Sequence, residues 1–303
     1  MGNLDIIVTK LDTSGNTLWQ YTYADDYNGD DIATAITVDD AGDVFVTGTI
    51  FNDSTNMNDI ATFFLLGDGT LHWMLTYNGT ASSMDAGGDV ITDNSYVYVT
   101  GATLTDSNMA NYITIKYNYS GSTIWTSTYD YNHLQDIATK IGYDNGKVYV
   151  SGISQSTTSD WAYAAIDLAT ADGSITGTRR SSGIGTGMDN LNNMTTDSSG
   201  NVYLTGAVLN GSSNYDVRTM KLNSTLDIVW QQDYNGSNNG NDAGNDVKVD
   251  NEGNVYVCGY TTTASNGKDY LTMKYDASGT LLWSKTENGA GNGNDVAHAM
   301  CLD

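Results

Sequence analysis

Short runs of alternating apolar and polar residues, rich in β-branched and aromatic types, recur along the whole chain and are separated by turns of Asp, Asn, Ser and Gly. That alternation has period two, and no segment sustains a helical period, so the pattern predicts strands throughout. Four kinds of strand follow one another in fixed order. The first, strand A, reads Asp, seven residues, Asp: "DIATAITVD" from Asp31, "DAGGDVITD" from Asp85, "DIATKIGYD" from Asp136, "DNLNNMTTD" from Asp189, "DAGNDVKVD" from Asp242 and "DVAHAMCLD" from Asp295. These copies lie 51–54 residues apart. Strand B is V-F/Y-V/L-T/S/C-G, present five times, as in "VYVTG" from Val97. Strand C resembles "DYLTMKYD" from Asp269, and strand D carries tryptophan at Trp19, Trp73, Trp125, Trp230 and Trp283. Connectors such as "DSSGN" and "DASGT" combine an Asp that binds its own turn backbone with a Gly that supplies positive φ, which makes tight hairpins.

Each unit of about 52 residues is therefore a four-stranded antiparallel meander, and a lone meander cannot bury both of its faces. Stacking such units radially predicts a single all-β domain over 1–303, a six-bladed β-propeller with strand A innermost. Two residues into strand A stand Ala33, Gly87, Ala138, Leu191, Gly244 and Ala297, nearly all small, as crowding near an axis requires. Five residues in stand Ile36, Val90, Ile141, Met194, Val247 and Met300, all apolar, as packing between blades requires. The sixth strand A ends the sequence and the first residues open on a strand C, so the two termini are expected to form one composite blade lacking strand B. Its open edges, at Asp5, Ile7, Val8, His298, Met300 and Leu302, are expected to meet a protein partner by β-augmentation, to pair with each other directly, or to meet a continuation of the chain. Blade four lacks the strand-D tryptophan, with Gly177 in its place; Trp161 on strand C is expected to replace the lost bulk, and the adjacent Arg179 and Arg180 offer a local contact.

The unit D-x-A-x-x-I-x-V-D-x-x-G-N-V-Y-V-T-G followed by D-Y-x-T-x-K-Y-D-x-x-G-x-x-x-W, best seen at Asp242–Gly259 and Asp269–Trp283, resembles the SBBP β-propeller repeat. The resemblance implies an exported or cell-surface protein with no defined catalytic motif. Repetition, acidity, a Thr/Asn-rich surface and the absence of a catalytic set favour a non-enzymatic extracellular scaffold, a cell-surface, filament or sheath subunit, with a glycan- or ligand-binding module as the alternative and a polysaccharide-active hydrolase or lyase as the third reading.

Composition narrows the partners. Against 36 Asp and Glu stand 12 Lys and Arg, a formal charge of −24, which disfavours nucleic acid and anionic lipid. No run approaches a membrane span, so membrane insertion is not expected. His72, His133 and His298 fall on different repeats and have no metal-ligand spacing. The opening carboxylates Asp31, Asp85, Asp136, Asp189, Asp242 and Asp295 have two readings. Each caps its own D–A loop by accepting backbone N–H groups, or together they form a rim that attracts Ca²⁺. Polar strand-A residues Asp89, Lys140, Asn192, Asn193, Asn245, Asp246 and His298 are expected to line a wet channel or to hold a small polar or sugar ligand. Cys258 and Cys301 are expected as free thiols, with a bridge between adjoining blades as the alternative.

Overall fold

A computed structural model of the chain describes residues 4–24, 29–52, 57–79, 84–105, 109–144, 146–211, 214–263, 267–291 and 293–303. Among them every regular element is a strand. Sheet 1 holds β1 (Ile6–Leu11) and β2 (Thr17–Tyr23). Sheet 2 holds β3 (Ile32–Val38), β4 (Val44–Asn52), β5 (Met57–Leu65) and β6 (Leu71–Tyr77). Sheet 3 holds β7 (Asp85–Thr92), β8 (Tyr96–Leu104), β9 (Ala110–Asn118) and β10 (Thr123–Tyr129). Sheet 4 comprises β11 (Asp136–Asp144), β12 (Lys147–Thr157), β13 (Asp160–Ala169) and β14 (Ile175–Ser181). Sheet 5 comprises β15 (Asn190–Thr196), β16 (Val202–Leu209), β17 (Tyr215–Leu222) and β18 (Ile228–Tyr234). Sheet 6 comprises β19 (Ala243–Val249), β20 (Val255–Thr262), β21 (Lys268–Tyr275) and β22 (Leu281–Glu287). The strands of each sheet are ordered as in the sequence and the pairing is antiparallel, giving one hairpin followed by five four-stranded meanders, an arrangement of the β-propeller class.

Two compact units divide the chain: Met1–Tyr143 with Ala171–Ser174, and Asp144–Thr170 with Ile175–Asp303. Within the first, Ile6 and Val8 of sheet 1 pack on Val44, Val46 and Phe63 of sheet 2. Phe45, Ile60 and Phe64 of sheet 2 in turn pack on Val90, Val97 and Ile113 of sheet 3. The second unit repeats the arrangement. Tyr149 and Tyr163 meet Leu191, Met194 and Leu204, and Tyr203, Val217 and Trp230 meet Val247, Val257 and Leu271. The aromatic of strand B and the fifth residue of the next strand A thus recur as partners.

The small residue near the start of strand A has a local cause. A Cβ on Gly87 would lie 2.6 Å from the Gly48 carbonyl oxygen, and one on Gly244 would lie 2.2 Å from the Thr205 hydroxyl. The crowding comes from strand B of the preceding sheet. Immediately afterwards the A–B register shifts by one residue, between Gly87 and Asp89 and between Gly244 and Asp246, and likewise in sheets 2 and 5. Such a bulge leaves one residue unpaired and turns its side chain out of the ladder.

The composite blade expected from the termini is represented by sheet 1 in the first unit and by residues 294–303 in the second. Sheet 1 is two-stranded, and residues 294–303 contain no strand.

Tryptophan gives the outer edge its packing. Trp19, Trp73 and Trp230 donate their indole N–H to the carbonyls of Gly67, Tyr119 and Ala277, each in the C–D turn of the next sheet, at 3.0–3.2 Å. The turn glycine lies against the ring. A Cβ on Gly69 would come within 2.6 Å of Trp19, on Gly173 within 2.7 Å of Trp125, and on Gly279 within 2.6 Å of Trp230. Each of these glycines has φ between 73° and 87°, so both backbone and space require glycine.

Sheet 4 inverts this pair. Gly177 occupies the tryptophan position, and in the following turn the glycine is replaced by Leu226, at φ 62° and fully buried among Tyr149, Tyr163 and Leu222. Arg179 Nε donates to the Leu226 carbonyl at 2.7 Å, while the carbonyl that an indole N–H takes elsewhere, two residues before the turn glycine, is that of Ser224 and accepts Lys147 Nζ at 2.8 Å. Leu226 of the next sheet thus packs with Tyr149 and Tyr163 of sheet 4, while the space beside Gly177 is taken by the Asp167 carboxylate. Trp161, expected to compensate, is only half-buried and lies on a different strand. Arg179 and Arg180 are also engaged inside the unit: Arg179 pairs with Asp227 at 2.9 Å, and Arg180 donates to the Ser154 carbonyl at 2.9 Å. Leu226→Gly should relieve the positive φ yet lower unfolding stability by about 2–4 kcal/mol through the cavity. Urea unfolding of this variant beside the parent chain measures the loss.

Candidate functional site: the carboxylate clamps at the repeat junctions

Where one repeat passes to the next, a short Asn/Gly-rich loop must turn from strand D into strand A, leaving backbone N–H groups that no ladder satisfies. The first Asp of strand A supplies the acceptor. Asp242 is fully buried; its Oδ2 accepts Gly236 N–H at 2.6 Å, and its Oδ1 accepts Thr261 Oγ1 at 2.6 Å and Thr262 N–H at 3.0 Å. Asp189 repeats this with Gly183 N–H at 2.6 Å and Leu209 N–H at 2.8 Å. Gly79 N–H donates to Asp85 at 2.7 Å, Tyr131 N–H to Asp136 at 2.7 Å, Phe51 N–H to Asp31 at 3.0 Å, and Gly289 N–H to Asp295 at 2.8 Å. Asp31, Asp85, Asp136 and Asp189 are at most 2 % exposed, whereas Asp295 is half-buried. Asp85, Asp136, Asp189, Asp242 and Asp295 thus tie the loop before them, and Asp31, Asp189 and Asp242 tie the end of strand B twenty residues later.

The same point joins one sheet to its predecessor. Asp31 N–H donates to the Leu4 carbonyl, Asp242 N–H to Tyr215 and Asp295 N–H to Lys268, at 2.5–2.9 Å. In return the residue before the Asp accepts from strand C: Leu4 N–H reaches Asp30, Tyr215 N–H reaches Asn241, and Lys268 N–H reaches Asn294. Gln135 serves Ala110 N–H in the same way. This two-way clamp was not legible from strand periodicity; the recurrent amide or acid preceding the Asp was its available signal.

A second set of bonds links neighbouring A strands through the bulge. Thr34 Oγ1 donates to the Gly87 carbonyl at 2.9 Å, Asn192 to the Gly244 carbonyl at 2.8 Å, and Asn245 to the Ala297 carbonyl at 2.8 Å. One residue further on, Asp89 accepts Ile141 N–H, and Asp246 accepts both Asn193 Nδ2 and Met300 N–H. Five of the polar residues expected to line a channel, Asp89, Asn192, Asn193, Asn245 and Asp246, are therefore bound to an adjacent strand. By these bonds, and by Ala297 N–H on the Gly259 carbonyl, residues 294–303 lie where a strand A would lie against sheet 6.

The expected edge residues separate accordingly. Val8 is buried in the core of sheets 1 and 2, while Asp5 and Ile7 are exposed, Ile7 by 58 %. On the terminal segment His298 and Leu302 are exposed and Met300 is half-buried. For the cation reading, no group of three or more His, Cys, Asp or Glu is close enough to hold a metal among the described residues. Both cysteines are free, Cys258 buried and Cys301 exposed, and burial pushes the Cys258 thiol up to about 11. His133 pairs with Asp130 at 2.7 Å at the surface, and His72 packs edge-on against Phe64.

Burial raises the carboxyls of Asp85 and Asp189 above the usual range, outweighing the hydrogen bonds that pull them down. Turn carboxyls behave oppositely. Asp12 is lowered by the Asn16 side chain and backbone, and Asp276 by the Ser278 side chain and the Thr280 N–H.

No family model matches the chain, and no curated protein matches it. Among solved structures it is similar to BamB from Moraxella catarrhalis, at 15 % identity and TM-score 0.48 over 92 % of this chain and 70 % of that one. It is also similar to the subtype N10 neuraminidase-like protein of A/little yellow-shouldered bat/Guatemala/060/2010, at 8 % identity and TM-score 0.47 over 85 % of this chain and 83 % of that one.

Removing the Asp242 carboxylate as Asp242→Ala leaves three donors without their acceptor and should cost about 2–4 kcal/mol, read by urea unfolding. The pH dependence has two signs. Groups raised on folding, such as Asp85 and Asp189, favour the folded state increasingly as pH falls through their folded pKa toward 3.8. Groups lowered on folding, such as Asp12 and Asp276, contribute stability above 3.8 that is lost as pH falls through their folded pKa. Thermal melts against pH should therefore peak on the acid side of neutrality and fall steeply below 3.8; a flat profile from neutral downward would contradict the assignment of the buried clamps.

Proposed function

We propose that the chain is a non-enzymatic structural scaffold, a cell-surface, filament or sheath subunit working outside the cell. The observation that supports this most is the use made of the repeated carboxylate. In repeat after repeat the first Asp of strand A accepts backbone N–H groups of the loop before it or of the end of strand B, so its role is to join segments. An acid or base that works on a substrate needs a proton-exchanging face toward that substrate, and these groups are buried in their clamps. The resemblance of the repeat to the SBBP motif and the acidic surface support an exported setting. A large negative charge keeps such a surface soluble and averse to anionic partners.

A second reading is a binding module for a glycan or other small polar ligand. It is supported by a polar hollow of about 470 Å³ in the second unit. Its walls are two A–B turns, 196–201 and 249–253, with Lys221 at the side. Asp197 and Asp250 in these turns already accept N–H groups of their own turns, and their outward neighbours Ser198, Asn251 and Glu252 offer the remaining polar atoms.

Sedimentation and negative-stain imaging of the full chain over a wide concentration range test the scaffold reading, which expects ordered assemblies. Strictly monomeric particles at high concentration, together with a selective glycan-array signal, would replace it with the second reading.

A further inference from the structure

Five complete sheets give a measure of what sheet 1 lacks. The fifth residue of strand A is 4 % exposed as Val90, 7 % as Ile141, 7 % as Met194 and 0 % as Val247, but its counterpart Ile36 is 60 % exposed. Where the covering residues are seen, they include the strand-B aromatic of the preceding sheet: Phe45 beside Val90, Tyr149 beside Met194, and Tyr203 beside Val247. Sheet 1 precedes Ile36 and has no strand B. Its β1 shows the same deficit. The position of Ile7 is held in other sheets by Ala61, Ile113, Ala164, Arg218 and Leu271, all at most 2 % exposed, whereas Ile7 is 58 % exposed. Between them runs a groove of about 250 Å³ walled by Ile7, Thr9, Ala33, Ala35, Ile36 and Val46. A further apolar hollow of about 190 Å³ lies by Val8, Trp19, Val38 and Val44.

We infer that the free edge of β1 and the groove beside it receive an extended segment of the pattern V-F/Y-V-T-G from outside residues 1–303. The register is fixed by the complete sheets. In each, the first Val of strand B pairs with the position of Leu11 and the Gly with the position of Ile7: Val97 with Tyr117 and Gly101 with Ile113, Val202 with Leu222 and Gly206 with Arg218, Val255 with Tyr275 and Gly259 with Leu271. Sheets 2 and 4 agree, through Val44 with Leu65 and Val148 with Leu168. The incoming Val, aromatic, Val, Thr and Gly therefore pair with Leu11, Lys10, Thr9, Val8 and Ile7 in turn. Main-chain bonds along β1 hold the segment, and its aromatic covers Ile36, the side-chain pocket giving selectivity. Every V-x-V-T-G copy within this chain is already laddered on both sides within its own sheet or fixed in the sheet order, so a second copy of the chain has none to give without opening a blade. The inference concerns a partner of the scaffold and rests on that reading, but the measurement below does not depend on assembly.

The probe is a fluorescein-labelled synthetic peptide copying residues 95–103, titrated into the full chain with fluorescence anisotropy as readout. Saturable binding is expected, with hydrogen-exchange protection gained at residues 7–11. Ile36→Asp and, separately, Ile7→Lys should each weaken binding by about tenfold or more, because burial of one such side chain is lost. Both residues are exposed, so circular dichroism should be unchanged; Ile184→Asp, 85 % exposed and remote from β1 in sequence, is the control and should bind as the parent does. Absence of binding, binding indifferent to both variants, or protection at strands other than β1 would overturn the inference. So would a concentration-dependent dimer of the chain alone that protects residues 7–11, since the occupant would then be a second copy. If the peptide binds as expected and the scaffold test fails, the edge site stands and only its use in assembly falls.

Discussion

The structure depends on one buried interaction: an ionisable carboxylate accepting backbone N–H groups where a loop becomes strand A. Turning the chain at that point strands polar backbone among packed sheets, and each unsatisfied donor is expensive there. Asp is short enough to reach both the loop and the end of strand B, as Asp242 does with Gly236 and Thr262. It also offers two oxygens, which Asn cannot match as acceptors. Fixing this corner places the bulge that follows, and the bulge places Thr34, Asn192 and Asn245 against the next strand A. The order of elements within a repeat and the fit between repeats thus descend from the same group.

Much of the architecture was legible because it rests on local chemistry repeated often. Alternation in "VYVTG", Asp and Gly at fixed places in the hairpins, and the recurrent tryptophan all act within a few residues, so sequence spacing reports them directly. The burial of Val90, Met194 and Val247 also followed from their recurrence. What did not follow depends on partners some fifty residues away. Asn192 and Asp89 read as polar positions facing water, yet their partners are Gly244 and Ile141 on a neighbouring strand. The small residue of strand A was right in size but wrong in cause, since the crowding atom at Gly87 belongs to Gly48. The terminal copy of strand A satisfies its clamp and its stitch without being a strand, because motif residues secure position whereas a ladder needs a second backbone.

The clamp also accounts for the acidic composition in part. Carboxylates that open strand A are held by N–H groups rather than by Lys or Arg, so each repeat adds negative charge without a matching cation. Exceptions mark places where charge enters the interior. Arg218, 2 % exposed, forks onto Asp233 with both oxygens at 2.6–2.7 Å and reaches the Ser182 carbonyl. Lys147 meets the buried Asp167 at 2.5 Å beside Gly177. Both lie in the second unit, near the irregular sheet 4, where the usual tryptophan packing is absent.

The exchange of Trp and Gly for Gly and Leu at residues 177 and 226 bears on how the array can be rearranged. Elsewhere a large ring in one repeat meets a bare backbone in the next, so those repeats share one lock and could change places without collision. Sheet 4 presents glycine where the others present tryptophan, and sheet 5 presents a leucine packed with Tyr149 and Tyr163. Put after a tryptophan-bearing repeat, sheet 5 would drive Leu226 into an indole, as the approach of Trp19 to Gly69 shows. The two therefore fit each other as neighbours, and this junction gives an otherwise periodic chain a fixed reading frame along its length.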